Sequence, residues 1–440
     1  QATSVLLLCL TTISKFGAEK SNFARFFLKM AIEIMAPVGS WESLQAAIQA
    51  GANSIFFGVE QLNMRVKSAA SLTVADIDEI ARRCHEAGLR AYLTLNTTMY
   101  DHDRQLVATI VSSAKAAGID AIIAADFAVI KECRKQGMSL HISTQANVTN
   151  IDTVEFFAEY AELIVLSREL TLKQVKDIVR DIKNRDIRGP KGELIKIEIF
   201  GHGALCMAIS GKCYLSLDSN NSSANRGACV QNCRHKYLVT DLDNGKELEI
   251  DHEYIMSAKD LCTIDFLDKL VETGVSVLKI EGRGRSADYV YTTVKCYRAA
   301  ADAIATGTYT PDRVNEWKTE LSKVFNRGFW DGYYMGRQIG EWSDAGGSKA
   351  TQKKVFLGQA VKYYPSLKVA EFTLETGKLN VGDELLLMGA NTGIVPLTAS
   401  SIHVDGPVDC AEKGRNFSIP CDTKVRPGDK LYKIIPTEYA

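Results

Sequence analysis

The sequence predicts an α/β protein: a (β/α)8 barrel of the TIM type with a cysteine-bearing insertion and a C-terminal small all-β barrel. Three observations predict it. Short apolar runs recur eight times after Met30, amphipathic stretches separate them, and from about Gln352 the texture changes to short alternating segments broken by Gly-Asp turns.

The eight runs are EIMAP at 33, SIFFG at 54, RAYLTLN at 90, AIIAAD at 121, LHISTQ at 140, LIVLS at 163, IKIEIFG at 195 and VLKIEG at 277. They are rich in β-branched and aromatic residues and do not alternate with polar ones, the pattern of strands covered on both faces of a parallel sheet. Helical periodicity marks SWESLQAAIQAG, TVADIDEIARRCHEAG, LVATIVSSAKAAG and CTIDFLDKLVETG between them. Each ends in a glycine, Gly51, Gly88, Gly118 and Gly274, placed for a left-handed cap that turns the chain into the next strand. In such a barrel the chemistry gathers at the C-terminal strand ends. Asn96, Gln145, Asn147, Arg168, His202, Glu281, Arg283 and Arg285 fall there.

The domain reading assigns 1–29 to a leader outside the fold, 30–340 to the barrel, 341–352 to a polar linker and 353–440 to the β domain. Between the seventh and eighth runs, residues 203–276 form an insertion too long for an ordinary connection. The leader's VLLLCLTTI lacks a basic n-region and is short of the about 20 apolar residues of a membrane helix. No membrane association is expected.

Apolar residues make up 46% and charged residues 24% of the 440, which excludes a disordered chain. Lys plus Arg total 52 against 53 Asp plus Glu, so no global basic field announces a nucleic-acid binder. Eleven cysteines in a chain of this length favour reduced thiols and a cytoplasmic location.

Five of those cysteines crowd the insertion: Cys206, Cys213, Cys229, Cys233 and Cys262. Gly211 turns the chain between the first two, so thiolates from separate loops can converge, as an iron–sulfur cluster requires. Spacing alone leaves three readings open: an iron–sulfur site, a zinc site of four cysteines, for which Cys229 and Cys233 have the better interval, and ordinary buried thiols.

Around these thiols the chain reads E-x-F-x-x-G-A-L-C-x4-G-x-C-x-L-S, at Glu198, Phe200, Gly203, Cys206, Gly211, Cys213 and Ser216. With STQANVTN at 143, NRGACVQNCRHKY at 225, KIEGRGRSADYV at 279 and FNRGFWDGYY at 325, it resembles the collagenase-like peptidase family U32 from Met30 onward. In length and C-terminal domain it is most similar to the branch of prephenate-dependent tRNA wobble-uridine 5-hydroxylases. The resemblance implies a 4Fe-4S cluster on Cys206, Cys213, Cys229 and Cys262, with Cys233 as the alternative ligand. It further implies tRNA as partner and prephenate, a small dicarboxylate, as co-substrate.

On that reading Arg168, Arg283 and Arg285 are expected to clamp carboxylates, unless they form rim salt bridges with Glu169, Glu281 or Asp288. Glu281 is the candidate acid or base, Gln145 and Asn147 are candidates for reading a base edge, Asn96 for substrate binding, and His202 for tuning the cluster. RNA contacts are expected from Arg234, His235, Lys236, Arg327, Lys349, Lys353 and Lys354. Trp330, Tyr333 and Tyr334 either stack bases or form a packed turn.

Two other functions stay in view. Peptide hydrolysis, implied by the family name, finds little machinery: His85-Glu86 and His252-Glu253 lack the second histidine of a zinc helix, and no G-x-S-x-G elbow exists. A Cys206–His202 pair could serve as nucleophile and base only if the thiol is not a ligand. A non-catalytic RNA-binding or iron–sulfur scaffold is the third.

Overall fold

Runs of β-branched and aromatic residues cannot face water on either side, and all eight expected strands close into one parallel barrel. The computed structural model describes residues 32–66, 71–209, 211–238, 240, 242–243, 254–336 and 341–439. The expected leader and the His252-Glu253 pair lie outside the described residues.

The barrel strands are β1 (Glu33–Pro37), β2 (Ser54–Phe57), β3 (Arg90–Leu95), β4 (Ala121–Ala124), β5 (Leu140–Ile142), β6 (Leu163–Val165), β7 (Lys196–Ala204) and, after a further strand β8 (Asp260–Cys262), β9 (Val277–Ile280). Each of β1 to β6 pairs in parallel with the next, and β6 with β7. β9 seals the ring, pairing Val277 with Glu198 of β7 and with Glu33 of β1. The four helix-ending glycines all have positive φ, between 75° at Gly88 and 83° at Gly274, as their cap positions require.

Two short strands were not foreseen. β8 returns antiparallel along the end of β7, opposing Cys262 to His202, and β10 (Phe329–Trp330) pairs in parallel with it. This outer flap turns the end of the insertion into an extension of the barrel wall.

Residues 352–436 form an eight-stranded antiparallel sheet and a two-stranded one, enclosing a core of Leu357, Phe372, Leu387, Phe417 and Leu431. The sheet lies along the barrel's flank. Gln49, at the end of helix Trp41–Gln49, accepts from Ile394 N at 2.8 Å and donates to Thr392 O at 3.1 Å. Lys354 bonds Ser286 and Asp288 at the start of helix Ala287–Thr306. Among the described residues no helix is long and apolar enough to cross a membrane.

Candidate active site

At the C-terminal mouth of the barrel the strand ends and the insertion enclose a cavity of about 250 Å³. Its lining includes Asn96 after β3, Gln145 after β5, Arg168 after β6, and Glu281, Arg283 and Arg285 after β9. The insertion adds Cys206, Cys213, Cys229 and Cys233 to the same wall. Site candidates from distant parts of the sequence therefore meet at one place.

The insertion is stapled across this mouth. Arg226 grips Asp103 with two bonds of 2.6 and 3.2 Å, and Asn225 accepts from Cys213 N at 3.0 Å. Arg234 donates to the carbonyls of Leu205 and Ala258, each at 2.6 Å, and so braces the thiol loop instead of facing outward for RNA. Gly227 tolerates no side chain, since a Cβ there would strike the Asn63 carbonyl, and its φ is 85°.

Charge is concentrated inside. Arg65, which sequence reasoning missed, donates to Glu281 Oε1 through Nε at 3.2 Å and Nη2 at 2.8 Å. Burial alone would push Glu281 up, but Arg65, Arg168 and Arg283 outweigh it and hold the carboxyl at about 2. Glu281 is thus an anion near neutrality, which withholds it as an acid and leaves it the form of a base, weakened by its bonds to Arg65. Arg168 lies 3.8 Å over the Phe200 ring, donates to Ala204 O at 2.8 Å and stands 4.0 Å from Glu281.

Arg283 donates to Thr94 and Asn63, both neutral, and Arg285 stacks 3.5 Å over Phe325. Burial draws each guanidinium down to about 10, so both stay charged at neutral pH. Of the expected rim salt bridges, Arg168 makes the one with Glu281, which Arg65 also holds; among the described residues none joins Arg168, Arg283 or Arg285 to Glu169 or Asp288, and Asp288 pairs with Lys354. Arg327 adds another cation, paired to buried Asp260 at 3.2 Å. Six arginines line the cavity against one carboxylate, Glu281.

Asn96 donates to Gln145 Oε1 at 3.1 Å and Ser143 Oγ at 3.3 Å, and Ser143 also bonds Gln145, so the two amides form one fixed polar edge. Asn147 is separate. It lines a smaller adjoining chamber, with Ser167 donating to its Oδ1 at 3.3 Å.

Two expected site residues lie elsewhere. His202 is buried among Tyr289, Tyr297 and Phe329, and burial lowers its ring to about 3, leaving it neutral. Cys262, its partner across β7 and β8, is 4% exposed and accepts from Tyr297 Oη at 3.8 Å, with burial raising the thiol to about 11. Alternate residues of a strand face opposite sides, and these two face helix Ala287–Thr306, away from the cavity. The fourth thiol on the cavity wall is Cys233. Burial raises it, Arg234 lowers it, and Cys206, Cys229 and Cys213 raise it further.

Among the described residues no three His, Cys, Asp or Glu side chains converge tightly enough to hold a single ion. The expected basic track is also internally engaged in part, since Lys349 pairs with Asp344 at 2.8 Å and Lys354 with Asp288. Tyr334 is core, donating to Phe200 O at 2.8 Å.

The model of peptidase family U32 matches residues 39–344, which span the barrel from the end of β1 onward, the insertion and its thiols. The chain belongs to peptidase family U32. A relative named collagenase, from Porphyromonas gingivalis, is 49% identical over 91% of this chain and 97% of its own. An uncharacterized protease of Methanocaldococcus jannaschii is 35% identical over 93% of this chain and 100% of its own. A tRNA hydroxylation protein of Bacillus subtilis is 32% identical over 67% of this chain and 69% of its own. Relatives of this chain are thus named both for peptide cleavage and for tRNA hydroxylation.

Proposed function

We propose that this protein is an RNA hydroxylase acting at C5 of the tRNA wobble uridine, with a 4Fe-4S cluster and a small dicarboxylate such as prephenate as co-substrate. The observation that carries the proposal is the cavity itself, where four thiols share one lining with an excess of buried guanidinium. Hydrolysis of a peptide calls for neither.

Cys206, Cys213, Cys229 and Cys233 fit a cluster as soft donors from separate turns. A cluster has several irons, so its thiolates stand apart around it, in keeping with four sulfurs that share a cavity without meeting at one point. Bound there, it would supply one-electron chemistry. Arg283 and Arg285 are held by hydroxyl, amide and ring contacts that leave their charge uncancelled, which suits bidentate capture of carboxylates, while Arg168 shares the Glu281 anion with Arg65. Glu281, kept anionic by Arg65, orients this set and limits its net charge. The fixed Asn96–Gln145 edge offers polar groups for orienting a substrate. A reducing compartment, the cytoplasm, suits thiols that are free and at least partly accessible.

Peptide hydrolysis is the second reading, favoured by the relative named collagenase. Against it, His202, the base conceivable for Cys206, is turned out of the cavity.

Anaerobic purification with iron, sulfide and zinc analysis tests the cofactor; zinc without sulfide rejects it. Nucleoside mass spectrometry of tRNA from a deletion strain, and of tRNA incubated with the protein and prephenate, tests the reaction. Cleavage of gelatin by the same preparation, with 5-hydroxyuridine unchanged, would establish the second reading instead.

A further inference from the structure

Beside the main cavity lies a second chamber of about 160 Å³. Trp330, Tyr333 and Trp342 form its aromatic side, and Thr144, Asn147 and Glu169 are among its polar groups. It shares Thr144, Arg168 and residues 205–208 with the main cavity, so Cys206 borders both.

Its lining is incompletely satisfied. Thr144 Oγ1 and Trp330 Nε1 are buried without a hydrogen-bond partner, in side chains whose residues are only 5% and 6% exposed. Buried polar atoms are seldom left so unless a ligand or water completes them. Asn147 holds a left-handed backbone at φ 61°, and while its Oδ1 accepts from Ser167, the other end of the amide carries two N–H donors. Trp330 packs edge-on against Tyr333 at 5.5 Å, which leaves Tyr333 and Trp342, both half-buried, as the accessible aromatic groups.

We propose that this side chamber receives one pyrimidine base of the substrate RNA, stacked on Tyr333 and Trp342 with its polar edge met by Asn147 and Glu169. This rests on the RNA-hydroxylase reading above and adds where the base sits. The volume is well below the about 300–1,000 Å³ of sites for drug-sized molecules, so it suits a single ring better than a whole nucleoside. An amide donor and a carboxylate acceptor in one lining match the alternating donors and acceptors of a pyrimidine edge. Chemistry on a base requires taking it out of its stack, and an aromatic-walled pocket next to the reaction cavity is the form such capture takes.

The test is photo-crosslinking of the anaerobically purified full-length protein to an anticodon stem-loop RNA carrying 4-thiouridine at the wobble position, with the adduct mapped by mass spectrometry. Adducts are expected on Tyr333, Trp342 or residues 144–147. Tyr333→Leu, checked for an unchanged thermal midpoint, should weaken binding of that RNA about ten-fold, the loss of one base–aromatic stack. Adducts confined to residues 64–65 or 283–285, or unchanged binding by Tyr333→Leu, would overturn the side chamber and leave the RNA reading standing. Equally efficient crosslinking there by 6-thioguanosine would overturn its restriction to pyrimidines. Failure of the unaltered protein to bind the RNA at all would overturn both.

Discussion

Lys279 of β9 donates to Glu198 of β7 at 2.8 Å inside the barrel, with side chains 6% and 0% exposed. The ammonium also lies 4.3 Å from the centre of the Phe56 ring. Lys279 lines the cavity floor, so the reaction chamber rests on a buried ion pair instead of an apolar plug.

Breaking that pair on one side strands the other charge. Lys279→Met is expected to cost about 3–5 kcal/mol of stability, while Lys279→Met with Glu198→Leu should recover most of it. Urea unfolding of the three proteins checks this. A double variant as unstable as the single one would show that the pair is not what holds the floor.

Glu281 gives stability a pH signature. Its carboxyl ionises at about 2 in the folded protein against an ordinary 4.5, so its contribution is complete above 4.5 and is lost as pH falls from 4.5 towards 2. The difference in thermal midpoint between the parent and Glu281→Gln should be flat above about pH 5 and shrink below it. A difference that grows on acidification would contradict the Arg65 pairing.

The thiols divide four to one. Cys233→Ser should lose bound iron, as should Cys206→Ser, whereas Cys262→Ser should keep it and show only a modest loss of stability of about 1 kcal/mol from its buried position. Iron assay after anaerobic purification decides. Iron lost from Cys262→Ser and retained in Cys233→Ser would restore the sequence-based ligand set.

His202 should be silent in catalysis. Its ring ionises at about 3 instead of 6.5, so it is neutral when folded and destabilises the fold as pH drops from 6.5 towards 3. His202→Leu is expected to leave the shape of the pH–rate profile unaltered and to reduce the acid slope of stability. A missing limb in that profile would return His202 to the site.

The barrel was legible because strands covered on both faces must be apolar throughout, and each of the eight runs carries that mark independently. Site residues at strand ends were legible for the same reason, since topology alone brings Asn96, Arg168 and Arg283 together. Which way a residue faces was not. His202 and Cys262 flank the thiol motif in sequence, yet the pairing of β7 with the unforeseen β8 turns both towards Tyr297. A three-residue strand such as β8 is too short to show a period. Arg65 was missed because it follows β2 in a loop without periodicity, 216 positions from its partner Glu281.

The strand that seals the ring is the last of the eight to be made. While a ribosome synthesises this chain, β1 waits with an open edge until Val277 and its neighbours emerge, and an unpaired edge invites association with other chains. All four cavity thiols leave the exit tunnel before that closure. On the cluster reading proposed above, delivery of iron and sulfide would have a window in which the sulfurs are translated and the wall bearing Glu281 is not.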